Sequence, residues 1–155
     1  MVKGDGAEML TLEKRIRTLE DIESIKRLKA DYCFYADIWN ESNDRGSNFG
    51  ALFAADGVWD VGHKRCTGPR EIAEELMSLP LTFRLKIGIH LALNPRIDLD
   101  GDCATGTWHL LIPVVPQGQR APHWNGGMYF EKYARTPDGW RFKDVRLQSA
   151  FVPPA

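Results

Sequence analysis

The chain has 155 residues, 43% hydrophobic and 26% charged, with a formal net charge of -1. That length supports one domain with a full core, residues 1–155, and is too short for two. The near-zero charge gives no electrostatic reason to expect nucleic acid or an anionic membrane as partner. Three cysteines, Cys33, Cys66 and Cys103, stand far apart with no Cys-x-x-Cys pair, so neither a disulfide framework nor a zinc knuckle is indicated. With no signal pattern and no apolar run near the roughly 18 residues that span a bilayer, a cytoplasmic protein is the expectation.

Residues 1–10 are polar and Gly-containing and are expected to be flexible. From Leu12 to Leu28 apolar residues recur at Ile16, Leu19, Ile22, Ile25 and Leu28 with charged residues between them, which predicts a surface helix with one apolar stripe. Thr11 and Thr18 are candidate caps, so one kinked helix or two would fit. From Leu28 to Trp39 apolar residues go round the whole circumference, and this last part should be covered on all sides. Inside it sits Asp37. A carboxylate leaving water must neutralise, pair or collect hydrogen bonds, because an uncompensated buried charge costs at least several kcal/mol. Two readings stand for Asp37: a buried acid that orients a catalytic base, or a helix-end Asp that turns to solvent or caps the next turn.

The helix should end near Trp39 or Asn40. A polar loop follows to Ser47, then a short helix over Phe49 to Phe53, a turn at Asp56-Gly57 and a short strand over Val58 to Val61. Gly68-Pro69 starts a helix through Arg70 to Ser78, closed by Pro80. From Phe83 the periodicity changes to strands: Phe83 to Leu93, Pro95 to Leu99, Ala104 to Val115, Gly127 to Ala134 and Trp140 to Leu147. Asp100-Gly101-Asp102 and Pro137-Asp138-Gly139 are tight-turn sequences, so the strands they join should be antiparallel, and Asn94-Pro95 suggests a bulge or bend. Helices first and long antiparallel strands after them make an α+β fold, in which a strongly curved, mostly antiparallel sheet folds over the opening helix as a cone with a deep pocket.

Several blocks in order carry a resemblance to the SnoaL-like branch of the nuclear-transport-factor-2-like superfamily. They are Leu19 to Lys29, Tyr32 with Asp37, Leu52 to Trp59, Gly68 to Ile72, Asp100 to Trp108, Tyr129 to Tyr133 and Asp138 to Arg141. The chain looks most like its small cofactor-free lyases, among them bile-acid 7α-dehydratase, hexachlorocyclohexane dehydrochlorinase and, more distantly, scytalone dehydratase. The resemblance implies a dyad of a helix acid and a strand histidine, which fall on Asp37 and His90, with Tyr32 five residues before the acid. A pocket arginine of those lyases has an approximate counterpart in Arg146. One departure is plain: a second carboxylate of the bile-acid enzyme corresponds here to Ile112.

A neutral imidazole is a good base near neutral pH, and a carboxylate on its other nitrogen fixes the tautomer and stabilises the imidazolium that forms. Asp37 and His90 are thus the candidate catalytic pair, with Tyr32 and Arg146 as candidates for steadying a developing oxyanion or a leaving oxygen. Phe34, Trp59, Trp108, Ile112, Trp124 and Met128 are the candidate pocket lining, with ordinary core packing as the competing reading for each. His63, His109 and His123 show no metal-ligand spacing and read as non-catalytic, with His109 or His123 as possible pocket lining. No metal and no cofactor are expected. Elimination from a hydrophobic cyclic small molecule is the leading function; an isomerase using the same dyad and a non-catalytic binding or assembly domain are the alternatives. The related lyases imply a homo-oligomer, a trimer or dimer.

Overall fold

A computed structural model describes residues 11–38 and 42–151. The predicted frayed start, and Trp39 and Asn40 at the expected helix end, fall outside the described residues. The first element is a single helix, α1 (Leu12–Ala36), 25 residues long. Thr11 caps it by accepting from the Lys14 amide, so the one-helix alternative is the one observed. Its buried positions are Ile25, Leu28, Lys29, Tyr32 and Ala36, one face at helical spacing.

The stripe differs from its expected course at both ends. Leu12, Ile16 and Leu19 are exposed, because the first turns run past the elements that cover the rest of the helix. Near the other end Phe34 is half-exposed, so the last turns are not covered on all sides, and the buried face includes a lysine that composition alone marks as a surface residue.

After α1 come α2 (Arg45–Gly50), β1 (Phe53–Asp60), β2 (Arg65–Thr67), α3 (Pro69–Thr82), β3 (Leu85–Gly88), β4 (Leu91–Asp100), β5 (Cys103–Pro116), β6 (His123–Thr136) and β7 (Gly139–Phe151). Part of the expected polar loop is therefore the helix α2. Helix α3 continues through Pro80 to Thr82, giving up one i→i−4 backbone bond there, so the expected stop at Pro80 falls two residues early. The described strands form one strongly curled sheet in the order β2-β1-β7-β6-β5-β3, with β4 also on β5. All pairings are antiparallel except β1 with β7, which is parallel. Asp100 to Cys103 and Thr136 to Gly139 form the expected hairpin turns. The register of β4 on β5 slips between Leu93 and Arg96, with Asn94 at φ +52°, which is the bulge that Asn94-Pro95 suggested.

The expected strand from Phe83 to Leu93 is broken. β3 and β4 occupy successive stretches of the same edge of β5, and Ile89 and His90 lie between them outside either strand. The end of α1 is stitched to this gap. The Ile38 amide donates to the Gly88 carbonyl at 3.0 Å, and a side chain on Gly88 would press against Ile38, at 3.1 Å from its nearest carbon. Backbone groups that the ladder leaves unpaired at the break are thus met by residues just past the helix.

Alternation sorts the sheet into two faces. Ile112, Tyr129, Val145 and Leu147 point inward to α1, α2 and α3, and with Ile25, Tyr32, Phe49, Phe53, Ile72, Leu76 and Phe142 they make the core. Within it Lys29 donates to Glu131 at 2.5 Å, both side chains essentially without solvent. The ammonium also lies over the rings of Tyr32 and Tyr129, 4.0 and 3.4 Å from their centroids. Tyr133 donates to the same carboxylate and accepts from Trp108 Nε1. An ion pair at this depth is tolerable only because its other hydrogen-bonding capacity is met by these aromatic partners.

Candidate active site

Asp37 is the first residue past α1, its backbone extended at φ -64° and ψ 128°, so its side chain leaves the helix and turns toward the β3–β4 gap. There one oxygen, Oδ1, accepts from the His90 amide at 2.6 Å and lies 3.1 Å from Nδ1 of the same residue's ring. The carboxylate therefore grips His90 by backbone and ring together. Both side chains are largely shielded from solvent. Among the described residues no hydrogen bond holds the other ring nitrogen, Nε2.

The carboxylate has a buried counter-charge. Arg45 at the start of α2 is 4% exposed and directs Nη1 at the carbonyls of Tyr35, Ala36 and Asp37, at 3.3, 3.4 and 3.3 Å. It thus closes the C-terminal end of α1, where a cation is favoured. Burial lowers the Arg45 pKa and the Asp37 charge opposes that shift. In sequence Arg45 stands in a polar, loop-like run; only its contact with the end of α1, nine residues upstream, marks it.

His90 lines a cavity of about 670 Å³, together with Tyr32, Trp59, Ile112, Asn125, Tyr129 and apolar residues of α3, β3 and β5. Half-exposed Phe83 and exposed Gln119 mark its open side. The Tyr32 hydroxyl accepts from Trp59 Nε1 at 2.9 Å and is hydrogen-bonded to Tyr129. Burial pushes its pKa far up, so it stays a neutral hydroxyl with a proton to donate. Asn125 also stands on the cavity wall; its Oδ1 is buried and, among the described residues, without a hydrogen-bond partner. Burial raises the pKa of Cys33 to about 11, which keeps that thiol protonated and poorly nucleophilic.

The SnoaL-like domain model matches residues 17–146. The chain belongs to the SnoaL-like family. Solved structures with the same fold include a protein of unknown function from Mycobacterium tuberculosis, 19% identical, with 96% of this chain and 79% of that chain covered at a TM-score of 0.75. An NTF2-like protein with a cystatin-like fold from Novosphingobium aromaticivorans is 24% identical, over 94% of this chain and 92% of that one, at a TM-score of 0.72. The hexachlorocyclohexane dehydrochlorinase LinA-type3 from Novosphingobium barchaimii is 19% identical, over 91% and 94%, at a TM-score of 0.75.

Within this SnoaL-like fold the structure brings His90, Tyr32, Trp59 and Ile112 to one cavity, sets Asp37 against His90 without lining the cavity itself, and leaves the other candidates elsewhere. Arg146 lies on the outer face of β7, its guanidinium 5.0 Å from the Phe130 ring centroid, in a separate depression with Arg65, Arg96 and Lys132. Trp124 and Met128 also face outward, since they alternate with Asn125 and Tyr129, which line the cavity. Trp108 is buried in the core, bonded to Tyr133, and Phe34 is half-exposed on α1; neither lines the cavity. Of the other histidines, His63 and His123 line it, while His109 is paired outward with Asn94 at 3.5 Å. Among the described residues there is no cluster of three or more His, Cys, Asp or Glu side chains able to hold a metal, and no helix is long and apolar enough to cross a membrane.

Proposed function

We propose that this protein is a small-molecule lyase that eliminates water or halide from a hydrophobic cyclic substrate, with His90 as base and Asp37 as the acid that orients it. One observation carries the reading: a single carboxylate oxygen engages both the amide and the ring of His90, at the wall of a cavity large enough for a compact ring system. An ionised Asp37 can only accept, so Nδ1 carries the imidazole proton and the Nε2 lone pair is left to take a proton from substrate carbon. The C–H pair becomes the new double bond as the leaving group departs with its own pair. Tyr32 donates a hydrogen bond to negative charge developing on substrate oxygen, and Arg45 balances the acid. The lyase names carried by structural neighbours support the class without naming the substrate.

The test is turnover by the parent, Asp37→Asn and His90→Gln over a panel of β-hydroxy carbonyl and halogenated alicyclic compounds. Each substitution should lower turnover by about 10²–10⁴-fold while ligand affinity changes little. Parent activity that survives both substitutions defeats the dyad. Binding without turnover anywhere in the panel would favour a ligand-binding domain.

We further propose that the chain assembles as a homo-oligomer, a dimer or trimer, through the outer face of the sheet. Exposed Leu91, Leu93, Trp124 and Phe151 collect there, and register sets Leu91, Leu111, Gly126 and Phe151 side by side across the strands. Light scattering should show an oligomer that Trp124→Glu converts to monomer; a monomeric parent at micromolar concentration rejects this.

A further inference from the structure

The cavity holds a second imidazole backed by its own carboxylate. His63, in the turn between β1 and β2, places Nε2 3.0 Å from Oε1 of Glu75 on α3, while Lys64 donates to the other oxygen, Oε2, at 2.7 Å. Glu75 is nearly buried. Lys64 and then His63 hold its carboxyl below the usual carboxylate range, so it stays ionised and can only accept. In neutral His63 the proton must therefore sit on Nε2. The ring packs edge-on against Phe83, with centroids 5.2 Å apart, at the open side of the cavity. Among the described residues no hydrogen bond holds its Nδ1.

The two histidines are thus matched in opposite sense: His90 is held at Nδ1 and open at Nε2, and His63 is held at Nε2 and open at Nδ1. Loss of water from an alcohol needs two proton movements, one off carbon and one onto the departing oxygen, because hydroxide is a poor leaving group. A single imidazole cannot be base and acid at one instant.

We propose that His63, held by Glu75, is the general acid of this cavity, protonating a leaving hydroxyl while His90 takes the carbon-bound proton. The role rests on the elimination reading above and narrows its substrate class to alcohols β to a carbonyl. The C–H pair forms the C=C bond, and the C–O pair leaves with oxygen. The Nδ1 proton of the His63 imidazolium completes a water molecule, leaving neutral His63 with its proton on Nε2. His90 ends as imidazolium, and exchange with solvent at the open side returns both rings to their starting forms.

Leaving-group dependence tests this. The parent, His63→Gln and His90→Gln are assayed on a β-hydroxycyclohexanone and on its β-(para-nitrophenoxy) counterpart, whose nitrophenolate departs without needing a proton. His63→Gln should slow the hydroxy probe by about 10²–10⁴-fold and leave nitrophenolate release within about twofold, whereas His90→Gln should slow both. Equal slowing of both probes by His63→Gln, or slowing of neither, overturns the role and leaves His63 as a tie between the β1–β2 turn and α3. If His90→Gln is harmless on both probes, the base assignment falls while the acid can stand; if the parent consumes neither probe, elimination fails and the acid role with it. A substrate-free check is the imidazole ¹⁵N spectrum on the alkaline side of His63's titration, which should show the Nε2-H tautomer. The Nδ1-H tautomer overturns the proposal.

Discussion

Along β6, Asn125 and Tyr129 line the cavity while Trp124 and Met128, each one residue away, face the outside. On β7 Leu147 reaches the cavity and Arg146 lies over Phe130 on the far face. Both faces carry aromatic and long side chains, so residue type does not tell them apart. What separates them is what lies behind: the inner face is covered by helices, which shield it and its buried ion pair, whereas the outer face leaves side chains such as Arg146 and Trp124 exposed. Inner substitutions should therefore act on chemistry and stability, and outer ones leave chemistry unchanged and stability only slightly altered within a protomer.

The widest contrast expected is between His90→Gln, with the two to four decades of turnover given above, and Arg146→Ala, with none. Loss of turnover in Arg146→Ala would mean the outer depression joins the reaction and would break the comparison. Next in size is Glu131→Ala, which strands the Lys29 ammonium in the core and should cost about 3–5 kcal/mol in urea unfolding. A cost below about 1 kcal/mol would show the pair to be solvated after all.

A smaller effect is expected where the inner face meets the first half of α1. There Asp21 accepts from both terminal nitrogens of Arg135 at 2.7 and 2.6 Å and from Trp140 Nε1 at 3.0 Å. The Arg135 hydrogen bonds above all hold the Asp21 pKa below its ordinary value. A carboxyl depressed in the folded state stabilises at pH above its unfolded value of about 3.9 and loses that contribution as pH falls through the lower folded value. Asp21→Asn should cost about 1–3 kcal/mol at neutral pH, and its deficit against the parent should shrink below about pH 4. A deficit independent of pH would assign the loss to packing. The smallest change is expected from Arg146→Ala, whose outer-face cation–π contact is worth about 0.5–1 kcal/mol in thermal unfolding.

Much of this arrangement is legible in the sequence. Asp100-Gly101 and Asp138-Gly139 mark the hairpins, Asn94-Pro95 marks the bulge, and the block order marks the family. Asp37 stands out as a carboxylate in an apolar run, and His90 becomes visible only through the family pattern. The rest depends on distant contacts. The inward parity of β6 and β7 is set by which face the helices cover, so Trp124, Met128 and Arg146 cannot be sorted locally. Lys29 reads as a surface charge because its partner, Glu131, lies 102 residues on. His63 reads as a loop residue because Glu75 reaches it from the next helix, and Ile89-His90 reads as strand because the group that replaces the ladder there comes from α1.

The tyrosines on the inner wall rest directly against the Lys29 ammonium, and that ammonium against Glu131. Carving the cavity deeper at Tyr32 or Tyr129 would uncover an ion pair, so variants with shortened side chains there should fail by misfolding before they accept larger compounds. The opposite end carries no such restraint: Leu79, Pro80 and Phe83 on and after α3, and Gln119 between β5 and β6, adjoin solvent. A mutant library meant to broaden the range of accepted molecules should therefore randomise that rim and leave the tyrosine wall intact.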